Sequence, residues 1–116
     1  MEDTGAEIPI ESPPGAVKAR MDAGEALALI DVREPFEHAL ARIEGCELAP
    51  MNTVPSRLEE WKRLAAGHLL VVYCHHGVRS LNVAGWLRAQ GVMNCTSMAG
   101  GIEAWSLEVD RTVGRY

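Results

Sequence analysis

The sequence predicts an α/β fold, with a parallel central sheet of about five strands flanked by helices on both faces. Short apolar runs alternate with longer stretches in which apolar residues recur every three or four positions, the spacing of one helix face. The runs lack the in-and-out alternation of a half-solvated strand, so both faces of each strand should be covered. Strands joined through helices at this spacing are right-handed crossovers, which make the sheet parallel.

A single domain is expected over residues 8–116, preceded by a flexible acidic tail at residues 1–7. A chain of 116 residues that is 47% hydrophobic and 23% charged buries a core without disulfides. Its three cysteines, an odd number, argue against a disulfide framework and favour a cytoplasmic location. No apolar run approaches the roughly 18 residues of a membrane helix, and the acidic start is unlike a signal peptide.

The first elements follow from apolar spacing and from proline positions. Ile8 and Ile10 have the alternation of a short strand, and Ser12 before two prolines predicts a helix near 14–23. The apolar run at 28–33 has no alternation and predicts a strand buried on both faces. Pro35 then opens a short helix, since its missing N–H would be unpaired in the first turn anyway.

The most apolar run, at 69–73, is too short for a helix and is typical of a central parallel strand. A polar loop that contains Gly77 follows it. The remaining predicted elements are a strand at 46–49, a helix over about 53–66, a helix through Leu81, Ala84 and Leu87 that ends at Gly91, a strand at 93–98 and a closing helix through Ile102 and Trp105.

The loop at residues 74–80, Cys-His-His-Gly-Val-Arg-Ser, is where chemistry is expected. Ligands of parallel sheets bind beyond the carboxyl ends of the strands, and Cys74 directly follows the central strand. Loop N–H groups that converge there, together with the cation of Arg79, favour thiolate over thiol and make Cys74 a nucleophile. Cys46 and Cys95 lie in predicted strands without such a loop, so a structural interpretation is preferred for both.

Three further motifs accompany this loop: Asp31-Val32-Arg33-Glu34-Pro35 with Glu37, Ile43-Glu44-Gly45, and Ala99-Gly100-Gly101-Ile102-Glu103-Ala104-Trp105. In this order and spacing the chain resembles the rhodanese-like sulfurtransferases, over roughly residues 8–105. One departure is Ala41-Arg42, where the family often has Gly-His, and it concerns the local geometry of the second motif rather than the loop.

The resemblance implies a sulfurtransferase in which Cys74 takes a sulfane sulfur from thiosulfate or a similar small anionic donor and becomes a persulfide. The acceptor would be a thiol, a cyanide-like nucleophile or a protein. The resemblance implies no metal or organic cofactor. It implies that the donor is bound by a cradle formed of His75, His76, Gly77, Val78, Arg79 and Ser80.

Charge helps to assign the other polar residues. The net charge of −5 speaks against nucleic acid or an anionic membrane as partner. A cation at a helix start is unfavourable, so Arg79 is expected to bind an anion there. Ser80 is expected either in the cradle or as a helix cap. Asp31 and Arg33 are two residues apart on a strand and should pair with each other or with loop amides, although a substrate role stays open.

The histidines are interpreted without a metal, because adjacent side chains rarely reach one ion. His75 and His76 should line the mouth of the loop and add positive charge as the pH falls toward ~6.5. His38 and His68 are expected at the surface. Trp61, Trp86 and Trp105 fall on helix faces and are expected to pack in or near the core.

Two alternatives stay open at this stage. Dual-specificity phosphatases and arsenate reductases of similar fold also place a cysteine and an arginine on an anion-binding loop. Those phosphatases have five residues between the two, whereas residues 75–78 make four here. A binding or sensor module without catalysis is the other alternative, although it would not need a glycine and Arg79 beside an activated thiol.

Overall fold

The computed structural model describes residues 8–116, and the predicted tail at residues 1–7 lies outside the described residues. Five strands form one sheet in the order β1-β5-β4-β2-β3, and every neighbouring pair is parallel. The predicted α/β fold is confirmed. The strands are β1 (Glu11–Ser12), β2 (Leu27–Asp31), β3 (Glu47–Leu48), β4 (Leu69–Tyr73) and β5 (Cys95–Met98), and the helices are α1 (Pro14–Asp22), α2 (Pro35–Leu40), α3 (Leu58–Ala65), α4 (Val78–Ala89) and α5 (Gly101–Glu108).

Strand β4 is the centre of the molecule, and all five of its residues are buried. It pairs with β2 along its whole length and with β5 on its other side. Side chains alternate across a strand, so Leu70 and Val72 enter the core on one face while Val71 and Tyr73 enter the core on the other. This explains the continuous apolar run in the sequence.

Helices cover both faces of the sheet, as predicted. Helices α3 and α4 pack on the first face through apolar side chains that include Trp61 and Leu87. Helices α1 and α5 pack on the second face through Val17, Ile102 and Trp105. Burying each such side chain contributes about 1.5–3 kcal/mol before the entropy of ordering is subtracted.

Several predicted boundaries need correction. Strand β1 is Glu11–Ser12, because pairing with β5 begins where the N–H of Ser97 binds the carbonyl of Ile10 at 2.7 Å. Two 3₁₀ turns, Met51–Thr53 and Pro55–Arg57, occupy the predicted first part of α3. Cys46 lies just before β3 rather than inside it. Prolines and a turn, rather than helical spacing, control this segment.

All parallel strands end at the same edge of the sheet, which brings the residues after β2, β3, β4 and β5 together. The segment after β4 leads into α4, and the segment after β2 leads into α2. The predicted site residues therefore lie at this edge. Within residues 8–116, none of the helices combines the length and the apolarity needed to cross a bilayer.

Candidate active site

The sulfur of Cys74 is enclosed by its own loop. The N–H groups of Gly77 and Ser80 donate to Sγ at 3.1 and 3.4 Å, and the Ser80 hydroxyl lies 3.4 Å from Sγ. The residue is only 1% exposed. Two N–H groups are thus aimed at one sulfur, so the predicted convergence of loop amides on Cys74 is present.

Ser80 faces the sulfur of Cys74 and is not a helix cap. The residue before α4 is Gly77, and no side chain in the described part of the chain caps that helix. The Ser80 hydroxyl is instead shared with the hydroxyl of Ser97 on β5 at 2.7 Å. Of the two interpretations of Ser80 that the sequence leaves open, the capping one is therefore wrong.

Gly77 turns the loop into α4 with a φ of +102°, a conformation that side-chain-bearing residues rarely adopt. A Cβ at this position would lie 3.0 Å from the backbone nitrogen of Gly100. The glycine is therefore needed both for the turn and for the close approach of the segment that follows β5.

The first turn of α5 fixes the loop from that side. The N–H of Ile102 donates to the carbonyl of Cys74 at 2.9 Å, and the N–H of Glu103 donates to the carbonyl of His75 at 3.1 Å. A Cβ on Gly101 would lie 2.4 Å from the His75 carbonyl oxygen, so only glycine permits this contact. The otherwise unpaired amides of a helix start thus bind the backbone of the loop.

Arg79 makes a two-point ion pair with Glu37 of α2. Its two terminal nitrogens donate to the two Glu37 oxygens at 2.7 and 3.0 Å. These hydrogen bonds hold the pKa of Glu37 at about 2, and the same carboxylate raises the pKa of Arg79. Glu37 therefore supplies, within the protein, a negative charge that offsets the Arg79 cation at the helix start, and the expected binding of an anion by Arg79 stays a prediction.

Glu37 is held by further donors. It accepts the N–H of Glu34 at 3.0 Å, as part of a capping box at the start of α2. It also accepts the phenol O–H of Tyr116 at 2.7 Å. The Glu37 carboxylate is therefore fixed relative to both α2 and the Cys74 loop.

Asp31 and Arg33 form the expected pair, and both side chains are fully buried. The guanidinium donates to the two Asp31 oxygens at 2.8 and 2.7 Å. Although burial acts to raise it, these bonds lower the pKa of Asp31. His38, predicted at the surface, is half-buried with its Nδ1 2.9 Å from Asp31, whereas His68 is exposed as predicted.

His75 is the middle ring of a stack. Its centroid lies 3.9 Å from that of His76 on one side and 3.9 Å from that of Tyr116 on the other. Its Nε2 is buried and has no hydrogen-bond partner among residues 8–116, and burial, followed by the nearby His76, lowers its pKa. His75 is therefore expected to gain its positive charge at a lower pH than the sequence predicts. His76 and Val78 are exposed at the mouth of the loop.

The other two thiols lie outside this loop. Cys46 is half-buried and accepts the Tyr73 hydroxyl at 3.2 Å, and burial raises the pKa values of Cys46 and Cys95. Within residues 8–116, the ligand atoms of Asp31, His38 and Cys46 lie within 4.8 Å of one another. Arg33 occupies both Asp31 oxygens, so this cluster is poorly suited to a cation.

Sequence reasoning missed two contributors. The motif after β2 contains Glu37 but does not indicate its role, although an acid in the first turn after β2 is a natural partner for a cation beside the neighbouring β4. No periodicity or motif marks Tyr116.

The geometry and the sequence motifs agree with the protein family whose sequence model matches this chain. The sequence model described as "Rhodanese-like domain" matches residues 13–108. The chain belongs to the rhodanese-like domain family. Curated relatives match this rhodanese-like chain along most of its length. Some are named sulfurtransferases, and others are larger proteins of which the chain spans only a part.

A putative sulfurtransferase of Bacillus subtilis, YtwF, is 36% identical over 93 residues, covering 80% of this chain and 86% of that protein. A sulfurtransferase of Allochromatium vinosum is 31% identical over 91 residues, with coverages of 78% and 82%. The probable adenylyltransferase/sulfurtransferase MoeZ of Mycobacterium tuberculosis is 32% identical over 103 residues, but the chain spans only 26% of its length.

Solved structures agree on the fold. A rhodanese-like domain protein from Staphylococcus aureus superposes with a TM-score of 0.76 at 25% identity, covering 93% of this chain and 99% of that one. The human single-domain sulfurtransferase TSTD1 superposes with a TM-score of 0.70 at 22% identity, covering 87% and 98%.

Proposed function

We propose that this rhodanese-like chain is a sulfurtransferase that carries sulfur as a persulfide on Cys74. The proposal depends on one observation: a buried cysteine sulfur that accepts N–H groups from Gly77 and Ser80 in a loop that also holds Arg79. Relatives named sulfurtransferase that match along most of their own length support it. The donor class is thiosulfate or a similar small sulfane-sulfur anion.

In the first step the Cys74 thiolate attacks the outer sulfur of thiosulfate. An S–S bond forms to Cys74, the S–S bond within thiosulfate breaks, and its electron pair leaves with sulfite. Cys–S⁻ and S₂O₃²⁻ thus become Cys–S–S⁻ and SO₃²⁻, with no external oxidant or reductant. The loop amides and the N–H groups of Arg79 that do not bind Glu37 would stabilise the anionic donor and the departing sulfite.

In the second step a nucleophilic acceptor attacks the terminal persulfide sulfur. The new bond forms to the acceptor, the Cys–S–S bond breaks, and its electron pair returns to Cys74 as thiolate. A thiol, a cyanide-like anion or a protein thiol meets this requirement. The Gly77 and Ser80 amides that bind Sγ would stabilise the leaving thiolate.

The setting of the reaction is part of the same proposal. All three cysteines are free, and a reducing cytoplasm keeps such thiols available for exchange. Given the net charge of −5, the proposed partners are small anions and thiols rather than nucleic acid or membrane lipid. Neither step requires a metal or an organic cofactor.

The test is the intact mass of the protein after incubation with thiosulfate. We expect a gain of one sulfur atom that is lost on addition of a thiol. Cys74→Ser should abolish the gain, whereas Cys46→Ser and Cys95→Ser, the matched controls, should retain it. No gain in the wild type, or a full gain in Cys74→Ser, would contradict the proposal.

The same preparation separates the two alternatives. A phosphatase would hydrolyse an aryl phosphate at a rate comparable to sulfur transfer, whereas we expect negligible hydrolysis. A module without catalysis would show neither the mass gain nor sulfite release from thiosulfate.

A further inference from the structure

The segment after α5 returns to the active-site edge of the sheet, and we refer to residues 109–116 as the C-terminal strap. It is fixed by contacts along its length. The Ser106 hydroxyl donates to the carbonyl of Val113 at 2.7 Å, and Asp110 accepts the N–H of Thr112 at 3.0 Å. Val109 and Val113 pack against the core on the α1–α5 face. Hydrogen bonds and apolar contacts therefore hold the C-terminal strap in a defined position on the domain.

The strap ends on the residues that surround the loop. The Tyr116 hydroxyl accepts a hydrogen bond from Arg33 at 2.7 Å and donates one to Glu37 at 2.7 Å. One hydroxyl thus joins the buried Asp31–Arg33 pair to the Glu37–Arg79 pair. Its single proton is directed to Glu37, because an arginine offers no acceptor.

The ring of Tyr116 has a second, separate role. It stacks on His75 with an angle of 11° between the ring planes, and His75 follows Cys74 directly. The Arg33 guanidinium lies 5.4 Å from the centroid of the Tyr116 ring. Ring and hydroxyl therefore contact different partners, and a phenylalanine in this place would retain only the ring contacts.

We propose that Tyr116 is a positioning residue for the Cys74 loop: its hydroxyl fixes the Glu37 carboxylate that orients Arg79, and its ring holds His75 over the loop. The part that concerns Arg79 and an anionic donor rests on the proposed function. The part that concerns His75 and the closure of the loop does not, because Cys74 is sealed from solvent whatever reaction it performs.

Two variants of the full chain separate the two roles. Tyr116→Phe removes the hydroxyl, so the KM for thiosulfate should rise about fivefold while kcat stays within about twofold. Its rate of Cys74 alkylation by iodoacetamide, a neutral probe, should match that of the wild type. Tyr116→Ala also removes the stack, and Cys74 alkylation, located by peptide mass, should accelerate about tenfold or more.

Arg115→Ala is the matched control, because Arg115 lies in the same strap but pairs with Glu103 rather than with Glu37 or His75. Both readouts should stay at wild-type values. Wild-type alkylation in Tyr116→Ala would overturn the role of the ring. A raised KM in the alanine variant that phenylalanine fully restores would overturn the role of the hydroxyl. If the wild type does not use thiosulfate, the proposed function fails while the alkylation rates still decide the role of the ring.

Discussion

Glu37 accepts two hydrogen bonds from Arg79, at 2.7 and 3.0 Å, across 42 residues of sequence. The pair joins the first turn of α2 to the first turn of α4, at the edge of the sheet where Cys74 lies. Because the carboxylate offsets the guanidinium charge, Arg79 presents a rigid, oriented set of donors rather than an uncompensated cation. The stability of the fold and the proposed binding of an anionic donor therefore depend on the same contact.

A double-mutant cycle measures how much this contact stabilises the fold. Arg79→Ala and Glu37→Gln should each lower the free energy of unfolding by roughly 1–3 kcal/mol, because each leaves a partly buried group without its partner. The double variant should be less destabilised than the sum by about 1 kcal/mol or more in urea unfolding. Arg20→Ala, which breaks the exposed pair with Glu25, is the control and should cost at most about 1 kcal/mol.

Substitutions of Arg79 also test whether its guanidinium acts on the thiosulfate anion. Arg79→Ala should lower kcat/KM for thiosulfate by an amount equivalent to roughly 2–4 kcal/mol if its donors meet the developing charge. Arg79→Lys should recover only part of this, since a lysine cannot make the two-point contact with Glu37. Steady-state kinetics on protein shown to be folded provide the measurement. Equal kcat/KM values for Arg79→Ala and the wild type would leave Arg79 with a structural role alone.

The lowered pKa of Glu37 predicts a specific acid sensitivity. Its hydrogen bonds from Arg79 take the pKa from 4.5 to about 2, so the folded state holds this proton less tightly than the unfolded state. The stabilisation is fully present above pH 4.5 and is lost as the pH falls toward 2. Thermal melts across this range should show the difference between the wild type and Glu37→Gln shrinking with acidity. A constant difference would contradict the prediction.

Two glycines provide a matched pair of alanine substitutions. Gly101→Ala should lower the free energy of unfolding by about 2 kcal/mol or more, because its φ is +61° and the new Cβ would meet the carbonyl oxygens of Cys74 and His75. Gly85→Ala, inside α4 with open space around it, should instead stabilise by about 0.5–1 kcal/mol. Chemical unfolding curves measure both changes. If both substitutions change the free energy of unfolding in the same direction, the close contact of Gly101 with the loop does not control stability.

The length of the loop can be tested by inserting one glycine between Gly77 and Val78. The variant would have five residues between Cys74 and Arg79 in place of four, a wider ring of amides. We expect it to fold, to lose most thiosulfate turnover and to gain measurable affinity for phosphate or arsenate, assayed by calorimetry. Full sulfur transfer by the insertion variant would show that loop length does not select the substrate.

The sequence predicts well those features that one segment determines by itself. The apolar run at Leu69–Tyr73 predicts a buried strand, and Gly77 predicts the turn into α4. The two-residue strand β1 is defined instead by its pairing with β5, more than 80 positions away in the sequence. A pattern within β1 contains no information on that partner.

Contacts between distant segments account for the errors at the site. His38 resembles a solvated helix residue until the fold brings Asp31 within 2.9 Å of it. His75 would be solvated on an open loop, but in the fold its ring stacks on Tyr116, and burial lowers its pKa. Both outcomes depend on which side chains meet at the sheet edge, and spacing along the chain does not specify this.

The amides of α5 that bind the carbonyls of Cys74 and His75 bear on which loop side chains can be replaced without a change in the loop backbone. Hydrogen bonds to the backbone of the loop determine its shape. Amides of α5 bind the loop carbonyls, and the sulfur of Cys74 binds the loop N–H groups. The side chain of Val78, by contrast, is 70% exposed to solvent, so the backbone rather than this side chain determines the loop there. We therefore expect that an exchange at Val78 alters which molecules reach the mouth of the loop while the backbone groups around the sulfur keep their positions.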